Sequence, residues 1–154
     1  KNNYQLKLIG VDIKDTCIEY AKRYCEGYEE VSLVQDDFRN LIKGHNKPDI
    51  IHASLFFHHL EESEIIAFIQ EITKNKITII INDLQRHPLA YYGIKLLTKI
   101  FSKSYLVKND APLSVLRGFK YKEWEDKLKK IPDISYEIKN IWAFRHLIII
   151  KPKN

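Results

Sequence analysis

Methionine is missing from all 154 positions, the first included, and glycine, proline and cysteine are sparse at five, five and two residues. Each shortage rules something out. The glycines stand at 10, 27, 44, 93 and 118, so neither GxGxxG nor a P-loop can be assembled within the chain. Cys17 and Cys25 fall on one expected helix, where the rise per residue separates them by about 12 Å, beyond disulfide reach. Reduced thiols and a cytoplasmic location are therefore expected. No apolar run approaches the ~18 residues of a membrane span. The longest, ITIII at 77–81 and HLIII at 146–150, have strand length, and no secretory apolar region opens the chain. The missing initiator methionine fits a processed or truncated piece, or a sequence recorded without its methionines. An excess of acid is also lacking: the net charge is +5. That would suit an acidic partner, but the lysines are scattered, which reads as a solvated basic surface.

What is present is 45% apolar residues, enough for one domain with a core spanning 1–154. Apolar runs at 6–12, 31–37, 48–54 and 77–84 read as buried strands. Between the first two, KDTCIEYAKRYCEGY reads as a helix capped by Asp15 or Thr16, with Ile18, Ala21 and Cys25 inward and Gly27 at its end. Ile65, Phe68, Ile69 and Ile72 mark a second, amphipathic helix. Pro88 opens a third, running to Phe101 with Leu89, Gly93, Leu96, Leu97 and Ile100 on one face. Residues 102–121 lack periodicity and read as a long ordered connection. KEWEDKLKKI is a short helix with Trp124, Leu128 and Ile131 inward. ISYEIKN and FRHLIIIK close the chain as a strand pair around a turn near Asn140–Ala143. Alternating strands and helices predict an α/β fold with a mostly parallel sheet. The final pair, with no helix between its members, should be antiparallel.

In such sheets ligands bind beyond the carboxyl ends of the strands. Four apolar runs end in polar residues: at Asp12, at Asp36–Asp37, after Ala53 and at Asn82–Asp83. Asp12 can hold both hydroxyls of a ribose, or it can be an ordinary capping residue. Asp36–Asp37 can accept from an adenine amino group with Phe38 against the ring, or form a solvated turn. His58 and His59 are adjacent, share no face, and have no HEXXH-type partners, so a metal site is not expected. One of them could serve as a general base near neutral pH; the other would pack or cap the following helix. The absence of a GxSxG elbow argues against a serine hydrolase.

LIGVDIKDTCIEYAKR, VSLVQDDF and PDIIHASLFFHHLEESEIIAFIQEI resemble, in order and spacing, the class I S-adenosylmethionine-dependent methyltransferases. INDLQRHPLAYY and NDAPLSVLRGF are similar to a bacterial subfamily that carries SLFxHHL and NDLxR motifs. The resemblance covers nearly the whole chain and implies a Rossmann-like sheet. It implies S-adenosyl-L-methionine as cofactor and S-adenosyl-L-homocysteine as product. Asp12 would hold the cofactor ribose and Ile13 would pack on adenine. Asp37 would bind the adenine amino group beside Phe38, and Ala53, Ser54 and Leu55 would border the methionine part. His58 and His59 would face the reaction cleft as catalytic candidates. Asn82, Asp83, Arg86 and Tyr91 would approach the acceptor, and Asp110, Ser114 and Arg117 would lie in a substrate-covering segment spanning 84–121. The family's first strand and its GxGxG loop have no counterpart here. The chain thus reads as the C-terminal part of the domain. It is expected to be completed by a further N-terminal segment or by association through the incomplete sheet, and to bind cofactor poorly by itself.

The apolar, aromatic surroundings of the histidines (Phe56, Phe57, Tyr91, Tyr92, Leu97) favour a small apolar or aromatic methyl acceptor over a nucleic acid. Three other readings stand beside this one. A non-catalytic interaction module would explain a missing glycine loop. A nicotinamide-dependent oxidoreductase fits Asp12 but not the 53–60 and 82–91 stretches. RNA methylation fits the basic charge but lacks an NPPY-like motif.

Overall fold

The computed structural model describes residues 6–43 and 47–153. The chain divides into two compact units, Lys1–Lys47 and Pro48–Asn154. In the first, strand β1 (Leu8–Asp12), helix α1 (Asp15–Tyr24) and strand β2 (Val31–Gln35) form a βαβ unit. The strands pair in parallel from Leu8↔Val31 to Asp12↔Gln35, and α1 is the crossover that parallel pairing demands. At Gly10 a Cβ would stand 2.6 Å from Leu33 Cδ2, so glycine lets Leu33 lie across β1. The expected cap at Asp15 or Thr16 is not the one used. Lys14 is the N-cap and offers no side-chain bond; Asp12 reaches forward instead, its Oδ1 accepting from the Lys14 N–H at 2.8 Å. Asp15 lies in the first turn, where a carboxylate suits the helix dipole. Only Ile18 of the helix is buried.

The second unit runs β3 (Ile50–Ser54), α2 (Glu62–Lys74), β4 (Thr78–Leu84), α3 (Pro88–Phe101), α4 (Tyr105–Arg117), α5 (Tyr121–Leu128), β5 (Ile134–Ile141) and β6 (Arg145–Pro152). Its sheet has the order β3-β4-β6-β5. β3 and β4 are parallel, and the β4–β6 and β5–β6 pairs are antiparallel, so the closing pair has the expected direction. Successive strand residues face opposite sides, and Ile79, Ile81 and Asp83 fall on one face of β4. Opposite them on β6 stand Ile150, Ile148 and His146. All six are buried. An aliphatic ladder therefore ends, at the carboxyl end of β4, in a buried polar pair. Helix α2 contributes Ile65, Phe68, Ile69 and Ile72 to the core, as its spacing predicts, and α5 adds Trp124 and Leu128. A capping box between Glu61 and Glu64 opens α2.

Three expectations need correction. Residues 105–117 of the expected connection are helical. Their apolar residues do not segregate to one face, and Pro112 inside the helix removes a backbone donor, so no periodicity announces them. The expected inward face of α3 is largely exposed at Leu89, Leu96, Leu97 and Ile100, while Thr98 is buried. The closing turn occupies Trp142–Phe144, between the paired Ile141 and Arg145. Ala143 and Phe144 have φ of 64° and 55° there, left-handed geometry in residues that carry a Cβ.

Candidate active site

Asp83 is fully buried and therefore needs donors. His58 supplies two. Its backbone N–H donates to Oδ2 at 2.9 Å, and its ring Nδ1 lies 2.6 Å from Oδ1. The Leu84 N–H donates to Oδ1 at 2.7 Å. Since a carboxylate oxygen accepts, Nδ1 carries a proton, and in the neutral ring the lone pair is on Nε2. Local sequence explains the pose. After β3 the chain passes through Leu55 at φ 53° and enters a short 3₁₀ turn, Phe57–His59. Phe57, without exposed surface, anchors that turn against Phe68 and Trp124, with ring centroids at 6.3 and 5.9 Å. The next residue is thereby carried over the end of β4. His58 is 6% exposed; His59 is exposed, its ring centroid 4.0 Å from that of His58.

His146 faces Asp83 across the strand pair. Its Nε2 donates to the Phe119 carbonyl at 3.0 Å, and its buried Nδ1 has no partner among the described residues. Burial pushes its pKa below 6.5, against the opposing pull of the Phe119 carbonyl and the Asp83 charge, so it stays neutral at pH 7. The Gly118–Phe119 segment is clamped to the end of β4. Phe119 N–H donates to the Leu84 carbonyl at 3.2 Å, Arg86 N–H donates to the Phe119 carbonyl at 3.0 Å, and Arg86 Nε donates to the Gly118 carbonyl at 2.9 Å. A Cβ on Gly118 would lie 2.7 Å from the Leu84 carbonyl oxygen, so only glycine allows this approach.

His58 lines a cavity of about 940 Å³ bounded by the end of β4, one side each of α3 and α4, and the β5–β6 turn. Leu89, Gly93, Leu97, Val115 and Phe144 make it mostly apolar; the polar side chains reaching it are those of His58, Gln85, Ser114 and Arg145. A second space of about 350 Å³ is lined by His58, His59, Glu61 and Arg117. Among the expected acceptor contacts, Ser114 thus reaches the large cavity, Arg117 the small one, and Asp83 stands behind His58. Arg86 instead bridges to Glu123 at 3.1 Å. Tyr91 packs edge-on against Tyr92, and Asp110 is exposed on α4; neither lines the two spaces. Asn82 has a buried Oδ1 without a described partner. Ala53 and Ser54 pair with Ile81 and Asn82, and the Leu55 N–H donates to the Asn82 carbonyl at 2.9 Å. Sequence reading missed His146, Gln85 and Arg145. Gln85 directly follows β4, whereas only the β4–β6 register and the β5–β6 turn bring His146 and Arg145 to this end of the sheet, and no local pattern encodes those.

In the first unit, parallel pairing brings Asp12, Ile13, Asp37 and Phe38 to the carboxyl end of one strand pair, and Asp36 N–H donates to the Asp12 carbonyl at 3.1 Å. Asp12 Oδ2 forms no bond to the described residues. The Asp37 carboxylate accepts from the Arg39 backbone N–H and pairs with its guanidinium, both at 2.8 Å, a link that lowers the Asp37 pKa. Ile13 is 65% exposed, and Phe38 lies under the Arg39 guanidinium.

Residues 1–75 match the family model of a methyltransferase domain. The match covers just under half of the chain. Solved structures agree with this chain in fold. The plantazolicin methyltransferase BpumL, crystallised with a triazolic desmethylPZN analog and SAH, superposes with a TM-score of 0.72 at 17% identity, covering 96% of this chain and 68% of that one. The methyltransferase domain of bacterial CtHen1-C gives 0.64 at 14% identity, covering 96% and 78%. The pyocyanin biosynthetic protein PhzM gives 0.60 at 15%, covering 95% and 43%. No curated protein sequence matches the chain. No helix among the described residues is long and apolar enough to cross a membrane.

Proposed function

We propose that this methyltransferase moves a methyl group from S-adenosyl-L-methionine to a hydroxyl of a small, largely apolar acceptor, with His58 as the base. The observation that carries this reading is the buried Asp83–His58 pair on the wall of an apolar cavity. Asp12, with one carboxylate oxygen open, suits the two hydroxyls of a ribose. Asp37 and Phe38 suit an adenine amino group and its ring, and Ile13, exposed, can cover the opposite side. When bound, the cofactor supplies a methyl activated on a sulfonium, and it leaves as S-adenosyl-L-homocysteine.

The chain's own residues do the rest. The cavity walls hold the acceptor and exclude water, and alignment of reacting groups can supply about 7–11 kcal/mol. Asp83 fixes the His58 ring so that Nε2, unprotonated, takes the acceptor's proton as its oxygen becomes nucleophilic. A positioned base contributes about 10²–10⁴-fold. His59, exposed beside His58, would frame the entrance.

The test measures S-adenosylhomocysteine release from S-adenosylmethionine over a panel of phenols and hydroxyaryl acids, with the longest natural chain containing these residues. His58→Ala should cost about 10²-fold or more in kcat with KM for the cofactor unchanged. Unchanged turnover in His58→Ala would remove the base from the account.

A further inference from the structure

Arg145 lines the large cavity, yet its guanidinium has no hydrogen bond, ion pair or ring partner among the described residues. It is partly buried at the start of β6, between the paired Ile141 and Leu84. The other arginine beside β4, Arg86, is neutralised by Glu123. No Asp or Glu among the described residues lines the cavity, and Asp83, behind His58, is occupied by it. The lining therefore carries one fixed positive charge in an apolar surround, where an unpaired charge is costly and a matching anion is correspondingly favoured. Gln85 and Ser114 add neutral hydrogen-bonding groups, and neither side chain is engaged within the described residues.

We propose that the cavity takes an amphiphilic anion, a molecule with an apolar, ring-sized body and one carboxylate, the carboxylate held by Arg145. As a statement about the acceptor this rests on the methyl-transfer reading, and the anion subsite itself does not. The body lies along Leu89, Gly93 and Leu97, and a hydroxyl faces His58. Cationic molecules are excluded by the same arginine. The turn that presents Arg145 holds two left-handed residues, Ala143 and Phe144, with Phe144 stacked on His87 at 4.8 Å, so the guanidinium stands on a fixed support.

Two fluorescent probes with one body separate charge from apolar burial: 8-anilinonaphthalene-1-sulfonate and the uncharged N-phenyl-1-naphthylamine. Gly93 faces open space where a Cβ would go, so Gly93→Leu fills the cavity without a clash and marks the binding that belongs to it. The wild-type chain should hold the sulfonate at least about tenfold more tightly than the neutral probe. Arg145→Gln should bring that ratio near one while leaving the neutral probe within about threefold, and Gly93→Leu should weaken both. Equal wild-type affinities, a ratio unchanged in Arg145→Gln, or indifference to Gly93→Leu would each overturn the proposal. The readout needs no cofactor. An anion preference without S-adenosylhomocysteine binding to the longest natural chain containing these residues would reject methyl transfer and keep the subsite; cofactor binding without the preference would do the reverse.

Discussion

A carboxylate buried as deeply as Asp83 keeps its place because three N–H groups point at it, and two of those belong to His58. Removing it leaves the His58 donors facing a void, at a cost of about 1–3 kcal/mol. Asp83→Ala should therefore lower the urea midpoint. Asp83→Asn keeps the shape but offers Nδ1 a weaker acceptor, so it should retain more stability than Asp83→Ala while losing methyl-transfer rate. Parallel urea melts and turnover measurements check both. Gly118 makes a separate prediction. Its Cβ would meet the Leu84 carbonyl at 2.7 Å, so Gly118→Ala should destabilise by about 1–3 kcal/mol, read as a lowered urea midpoint. At this scale the sequence singled out the two histidines but not their partners. His58 and His59 look alike in the chain, and the Phe57 anchor and the β4 alternation make one buried and the other exposed. Asp83, read as an acceptor contact, is a support for His58 because its place on the ladder turns it inward.

Among the elements, α2 and β4 were legible because burial on one face writes itself into periodicity. Helix α4 was not. Its buried residues are Pro112 and Val115, too few to mark a stripe, and its place depends on packing against α3 and on the clamp at Gly118–Phe119. Helix α3 carried a clear apolar pattern that turned out to line a cavity at Leu89, Gly93 and Leu97 rather than fill a core; a pattern alone does not distinguish the two. The β5–β6 turn is strained in a way no composition signals, with alanine and phenylalanine in left-handed geometry. Glycine adopts that geometry freely. Ala143→Gly should raise stability by up to about 1 kcal/mol, measured by urea unfolding. A fall in stability would mean that the turn is not held in this conformation.

Across the whole molecule the alternation of strands and helices predicted the α/β class, and the two sheets, β1–β2 and β3-β4-β6-β5, carry the expected directions. The strand order could not be read locally, since pairing partners such as Asp83 and His146 lie far apart in the chain. Charge adds a pH dependence. Glu62 is held down to about 2, from 4.5, by bonds to Lys130 and then Lys127. Its contribution is whole above pH 4.5 and is lost as pH falls through about 2. His146 acts at milder acidity. With its folded pKa below 6.5, the unfolded chain takes up the proton first, so stability is full above pH 6.5 and declines below it. His146→Gln should flatten the fall in urea midpoint just under that pH; a slope identical to wild type would remove His146 as its cause.

The most direct measurement is a calorimetric titration of S-adenosyl-L-homocysteine into the longest natural chain containing these residues, as wild type and as Asp12→Ala. The account predicts saturable one-to-one binding that weakens at least about tenfold without the Asp12 carboxylate. A folded protein that takes up no S-adenosyl-L-homocysteine, or one whose affinity ignores Asp12, would contradict it.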